Sequence, residues 1–413
     1  MRNIIIIIAV LIFTSHSNSQ WVRVTNGLGG INVTVYTLAA NSNAMFAGNY
    51  GGVYKTTNNG SSWIQTPLNN RYVGALTVNT ISVFAGSGGV AGPYYGVYMS
   101  TNNGTNWIQT SLNNRNIYSL AANGNNIFAG TGGLYGVYSS TDNGANWNQT
   151  LLNNRSVTSL AINGNNVFAG TAVYGVYLST DNGISWSQTS LNNRSVNALF
   201  VNGNDIFAGT LGYGIYLSTN NGANWSQTAL NNVHIYSLAV NGNTIFAGTG
   251  GLGVYVSNNY GASWVQRNEG FGNYSSQIFA CSILNSYIFV GADSGGVYRR
   301  PLVELTGINP VLLEIPNQFS LSQNYPNPFN PTTQIRFSIP LSRGVTAEGS
   351  QGVLVNLTIY DAMGRVVETL HNGELTPGTY EADWNASKYP SGVYFYKFST
   401  ANFTQTKKMV LIK

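Results

Sequence analysis

Four arginines, Arg71, Arg115, Arg155 and Arg194, recur in one register of the chain, each five residues ahead of a leucine: Leu76, Leu120, Leu160 and Leu199. Tyrosines return in a second register, at Tyr95, Tyr135, Tyr174 and Tyr213, each directly before a glycine. A guanidinium can bind a carboxylate through two parallel hydrogen bonds, and a tyrosine ring can stack on a sugar or an apolar patch. Together these residues could hold acidic glycans or other carboxylates. The same arginines could instead serve structure, since one guanidinium carries enough donors to cap several loop carbonyls.

Hydrolytic chemistry has little to draw on. Residues 21–300 hold five acids: Asp142, Asp181, Asp205, Glu269 and Asp293. Glycoside hydrolysis ordinarily needs two carboxylates about 5 to 10 Å apart. Only Glu269 and Asp293 are expected on the face that carries the arginines, so they are the catalytic candidates; solvated loop acids are the plainer reading. His234 is the one histidine in this stretch, which gives no support to a Ser-His-Asp arrangement. No cluster with zinc-ligand spacing occurs, and no metal or cofactor is expected.

The elements that position these residues come from a repeat. Gly-Val-Tyr or Gly-Ile-Tyr recurs at Gly52, Gly96, Gly136, Gly175, Gly214, Gly253 and Gly296. Phe-Ala-Gly or Phe-Val-Gly keeps step with it, and so does a tryptophan from Trp21 to Trp264. The period settles at 39 residues, too long for a hairpin and right for one four-stranded blade. Within one copy, Ser156 to Ile162 alternates polar and apolar residues, Asn163-Gly164-Asn165 turns, and Val167 to Thr171 returns. Val176 to Ser179 and Ser185 to Thr189 complete the four strands. In such a blade the inter-blade linkers share a face with the loops ending in Tyr-Gly. This places the arginines along one side of the channel mouth on four consecutive blades. Val233, Ser276 and Val33 take the matching places on the others, and Tyr50 joins the tyrosines.

The turn before each tryptophan matches a known pattern. Ser140-Thr141-Asp142-Asn143-Gly144-Ala145-Asn146-Trp147 and Ser179-Thr180-Asp181-Asn182-Gly183-Ile184-Ser185-Trp186 resemble the Asp-box of BNR repeats, found in sialidases and many other propellers. Four more copies place Asn at the Asp position: Asn58, Asn102, Asn220 and Asn259. The resemblance implies a structural turn away from any active site. Asp and Asn accept turn amides, Gly takes the strained dihedral, and Trp covers the hairpin.

The ends of the array indicate closure. It opens on a lone fourth strand, Trp21 to Thr25, and closes on three strands, about Ile278 to Arg299, with Arg299-Arg300-Pro301 where a box would stand. Pairing the first strand into the last blade gives seven blades and removes the open edge. The fold class is therefore all-β: a seven-bladed β-propeller over residues 20–300, a linker over 301–318, and a small C-terminal β-sandwich of Ig-like type over 319–413.

That last segment resembles the type A C-terminal sorting domain of the type IX secretion system. The likeness rests on Asn324-Tyr325-Pro326-Asn327-Pro328-Phe329-Asn330-Pro331, Asp361-Ala362-Met363-Gly364-Arg365, Ser391-Gly392-Val393-Tyr394-Phe395-Tyr396 and Lys407-Lys408-Met409-Val410-Leu411-Ile412-Lys413. An insert from Leu341 to Gly352 is the one departure. The resemblance implies the type IX machinery as a partner and export across the outer membrane. Read from its residues alone, the segment could also be a retained binding module.

Residues 1–19 read as a signal peptide: Arg2, an apolar run from Ile4 to Phe13, and small residues at Ser17-Asn18-Ser19. That run is too short to span a bilayer, and no other segment is long enough. Only 8% of the chain is charged, and its net charge of +5 is spread without a dense Lys/Arg run, which excludes a nucleic-acid footprint. The single cysteine, Cys281, shares its register with six core leucines and reads as a small apolar residue. The expectation is an exported monomer, secreted or held at the cell surface. It would bind a glycan or protein partner without catalysis. The alternatives are a sialidase-like hydrolase or lyase acting on acidic glycans, and a surface scaffold.

Overall fold

The computed structural model describes residues 20–30, 32–88, 95–272, 277–305, 308–312, 316–341, 353–375 and 377–413. The leader at 1–19, Ser276 and all but the first residue of the expected insert lie outside them.

Seven four-stranded antiparallel sheets form the propeller. Their inner strands are Thr37–Asn41, Val73–Val78, Ile117–Asn123, Val157–Asn163, Val196–Asn202, Ile235–Asn241 and Ile278–Leu284. Each packs against the next, and the seventh against the first, so the ring is closed. Alternation within each inner strand sends its leucine, or Cys281, toward the central channel. Burial pushes the Cys281 thiol up to about 12, as suits an inert core residue.

The repeated text maps onto blade packing. The phenylalanines of Phe-Ala/Val-Gly, Phe46 to Phe289, are fully buried between neighbouring blades. The glycine after them makes room. A Cβ on Gly170 would run into Ser159 and the Val196 carbonyl of the following blade. On the opposite face the hairpin asparagines link blades: Asn123, Asn163 and Asn202 donate to the carbonyls of Gly164, Gly203 and Gly242 at 3.2, 2.7 and 3.3 Å.

The closing blade is built as its sequence implies. Val22–Arg23 pairs with Gly296–Pro301, Val22 facing Arg299, in the order outer, third, second, inner. Trp21 lies buried against Phe271, its ring stacked at 5.1 Å, and its indole donates to the Arg267 carbonyl at 2.7 Å. Arg300 stands where other blades place the box Ser or Thr. It is 2% exposed and bound to Glu269 at 2.8 Å and Glu304 at 3.2 Å. Leu302 and Leu305 are buried in the same core, so the packed propeller runs on to Leu305.

The expected linker over 301–318 is thus corrected over two stretches, 301–305 and 308–312. Its first residues belong to the propeller. Ile308–Leu312 is an edge strand of the sandwich, paired with Gly378–Asn385. An edge position tolerates Pro310, which has no N–H to give to a ladder.

The sandwich has two four-stranded sheets. One orders Ile308–Leu312, Gly378–Asn385, Thr332–Ile339 and Ser320–Leu321; the other orders Val366–Leu375, Val353–Asp361, Gly392–Ser399 and Thr404–Leu411. The alternating Ile335, Phe337 and Ile339 face Leu357, Tyr396 and Phe398 in one core. The motif residues hold turns. Asn324 donates to the Pro326 carbonyl and to Thr333, while its own N–H reaches the Tyr396 hydroxyl. Asp361 accepts the N–H groups of Met363 and Arg365 and the Arg365 guanidinium.

Candidate functional site

The Asp-boxes settle first, because their carboxylates are fully occupied by turn chemistry. Asp181 Oδ1 accepts the Ser179 hydroxyl at 2.7 Å and the Ser185 N–H at 2.9 Å, and its Oδ2 accepts the Ser185 hydroxyl. The Ser179 oxygen in turn takes the Gly183 N–H, and the Trp186 indole donates to the Gly183 carbonyl. Asn182 and Gly183 sit at φ 55° and 86°, the left-handed region that Asn and Gly tolerate. Hydrogen bonds from Ser185 and Ser179 hold the Asp181 carboxyl down at about 2. Those from Asn146 and Ser140 do the same for Asp142. Asn58 and Asn259 make the same turn without charge.

The arginines and tyrosines do meet, blade by blade. Arg115 lies with its guanidinium carbon 4.3 Å from the Tyr135 ring, Arg155 4.2 Å from Tyr174, and Arg194 4.1 Å from Tyr213. Arg71 sits between Tyr95 and Tyr98. Beneath each stack, Nε of Arg115 and Arg155 donates to the hydroxyls of Tyr138 and Tyr177 at 3.0 and 3.2 Å, and Arg71 donates to Tyr98. Nη1 caps the carbonyl of Asn114, Asn154 or Asn193. One edge of each guanidinium is therefore structural, as the capping alternative held. The stacked tyrosine stands outside it, 46% exposed at Tyr135, Tyr174 and Tyr213. Its backbone is fixed by a glutamine of the outer strand: Gln149, Gln188 and Gln227 donate to the carbonyls of Tyr135, Tyr174 and Tyr213.

The arginines do not line the channel mouth, contrary to the register argument. The stacking holds each guanidinium over its own blade, one loop outward from the axis. The central cavity, about 500 Å³, is lined instead by residues two positions before the core leucines. Tyr236, Phe279, Tyr36 and Tyr118 hold that place on four blades. On the second blade Gly74 holds it, and the Tyr72 ring lies against that glycine. Five consecutive blades thus give an aromatic arc, with centroids 5.3 Å apart for Tyr236–Phe279, 5.6 Å for Phe279–Tyr36 and 4.9 Å for Tyr36–Tyr72. The remaining two blades contribute Thr158 and Asn197. Burial and the neighbouring Tyr50 push the Tyr36 phenol up, and burial takes Tyr72 up to about 12. The period-two rule applied from the leucine backward was the signal that could have found this ring.

The two catalytic candidates do not converge. Glu269 lies at the outer flank of the closing blade, where its carbonyl accepts the Trp21 N–H and its carboxylate pairs with Arg300. Trp21 leads into the outermost strand, which draws Glu269 away from the arginine face. Its carboxyl, still solvated on one side, is held below the usual range: burial opposes this, and the Arg300 contact outweighs it. Asp293 stands in the loop of blade seven and accepts the Thr34 hydroxyl at 2.8 Å. The pair therefore offers no acid and base across one substrate position.

Residues 323–413 match the family described as the secretion system C-terminal sorting domain, and residues 177–188 match the BNR/Asp-box repeat. The chain thus carries at 323–413 a type IX sorting domain, which directs export to the cell surface or the medium, and its propeller carries at 177–188 a BNR-type Asp-box. No curated protein sequence matches it. Among solved structures, the computationally designed Ika8 protein is similar at a TM-score of 0.52 and 15% identity, over 68% of this chain and 99% of that one. The extracellular domain of BT4673 from B. thetaiotaomicron is similar at 0.57 and 18%, over 84% of this chain and 51% of that one. YCF48 bound to D1 peptide is similar at 0.54 and 14%, over 73% and 98%. At these identities the likeness is one of fold.

Proposed function

We propose that the exported propeller is a non-catalytic binding module, and that it holds a glycan or protein partner through the Tyr–Arg platforms of its loop face. The carrying observation is the repeated stack: on four consecutive blades an arginine lies against a tyrosine ring of its own blade, and on the last three that ring, Tyr135, Tyr174 or Tyr213, is exposed. Such stacking preorganises the guanidinium, so less side-chain freedom is lost when a carboxylate docks. Nε and Nη1 of Arg115 and Arg155 serve the fold, which leaves the Nη2 edge for an acidic sugar or an acidic side chain. Spacing by blades favours an extended, multivalent ligand over a small one. A solved propeller of similar fold holds a peptide, which keeps a polypeptide partner in view.

The test is glycan-array and peptide-array binding of the secreted chain, compared with the variant carrying Arg71→Ala, Arg115→Ala, Arg155→Ala and Arg194→Ala. Binding of acidic ligands should weaken with added salt and fall at least about tenfold in the variant. Unchanged acidic binding would refute the arginine platform. Turnover of an acidic glycoside that is lost on Glu269→Gln would replace the binding reading with the hydrolase alternative.

A further inference from the structure

We infer that the central cavity is a second binding site, distinct from the Tyr–Arg platforms, and that it takes the uncharged end of a glycan chain: a terminal neutral pyranose laid against the aromatic arc. This rests on the reading of the loop face as the binding face, and differs from it in ligand. Tyrosine, phenylalanine, leucine, threonine, serine, asparagine, alanine, glycine and cysteine line the cavity, and among the described residues no charged side chain does. An anion entering here would lose hydration without gaining a counter-charge.

The lining is divided as a sugar is divided. Blades six, seven, one, two and three present aromatic rings; blade five presents the Asn197 amide, and blade four presents Thr158, whose hydroxyl donates to the Val196 carbonyl at 2.6 Å and keeps its oxygen as an acceptor. A pyranose offers an apolar face of C–H groups and a rim of hydroxyls, which suits rings on one side and neutral hydrogen-bonding groups on the other. A purely aromatic side chain would leave the Asn197 amide without a new partner while stripping its water. The amide has capacity to spare, since Ser195 reaches it with one hydrogen bond at 3.4 Å. The cavity volume, about 500 Å³, lies in the range of about 300 to 1,000 Å³ usual for small-ligand sites.

Ring closure does not explain the aromatics. The leucine layer beneath them repeats on six blades, as packing requires, whereas the layer above it changes from Tyr to Gly, Thr, Asn and Phe. Thr158 and Asn197 close the same ring in the same strand geometry. The divergent layer is the one that a ligand entering from the loop face would meet first.

The experiment uses the full secreted chain on an array of neutral and acidic glycans. It compares the native protein with Asn197→Trp, which fills the polar side of the cavity, with Tyr118→Ala, which opens the aromatic arc, and with the fourfold arginine variant. Neutral-glycan binding should be insensitive to salt and survive in the arginine variant. It should fall about tenfold or more in each cavity variant, the scale of one lost aromatic contact. Tyr118→Ala carries the test should Asn197→Trp disturb folding, since Tyr118 is already 39% exposed. Absence of neutral-glycan binding by the native chain, or its persistence in both cavity variants, would overturn the inference. Neutral binding without acidic binding would refute the arginine reading and leave the cavity site standing.

Discussion

Asp181 is a carboxylate given over to turn geometry, and its titration follows from that. Its folded value, about 2, lies below the ordinary 3.8, so protonation is disfavoured in the folded state. The stability it contributes is fully present above the ordinary value and is lost as pH falls toward about 2. Asp142 behaves alike. The boxes at Asn58 and Asn259 show the neutral side chain in the same place, with Nδ2 turned to Ser62 and Ser263. Asp142→Asn with Asp181→Asn should therefore leave the melting temperature at neutral pH essentially unchanged, as for benign surface changes. It should also flatten the loss of melting temperature between pH 4 and pH 2. Parallel melting curves for the double variant and the native chain would contradict this account of the box. At this scale the sequence was legible for the boxes, whose chemistry is local. It was not legible for the arginines: their register put them on the correct face, but their direction depends on Tyr135, Tyr174 and Tyr213 arriving from another loop.

A blade is the unit in which these residues acquire positions, and the closing blade is where that unit is most exposed to failure. Arg300 replaces the box serine, is buried, and gathers Glu269 from the preceding linker and Glu304 from the segment that follows. Arg300→Ala should cost about 2 to 3 kcal/mol. Removing one partner of a fully buried pair costs about 3 to 5, and Glu269, at 51% exposed, retains water. Chemical denaturation checks this, and a loss below about 0.5 kcal/mol would show that Trp21 and Phe271 close the ring without the arginine. The 39-residue period made the blades readable, because each repeat contains both its strands and its turns. The strand at Ile308–Leu312 was hidden. Its proline reads as linker, and only pairing with distant Gly378–Asn385 makes it an edge. The aromatic arc was hidden for a related reason: on blade two, Tyr72 is displaced by two residues from Tyr36 and Tyr118, and the glycine at the expected place conceals it.

Across the whole molecule, the copies agree where packing is at stake and differ where a ligand could reach. Phenylalanines, leucines and boxes recur around the ring. Arginine–tyrosine stacks occupy four blades, and aromatic channel residues occupy an overlapping but shifted set of five. A sorting domain that delivers this ring outside the cell gives both features a place to meet a partner. The most direct measurement is calorimetric titration of the secreted chain with its best array ligand, followed by mass analysis of the recovered ligand. Saturable binding with the ligand returned intact is the expected result. A ligand returned cleaved would contradict the account of a propeller that binds without chemistry.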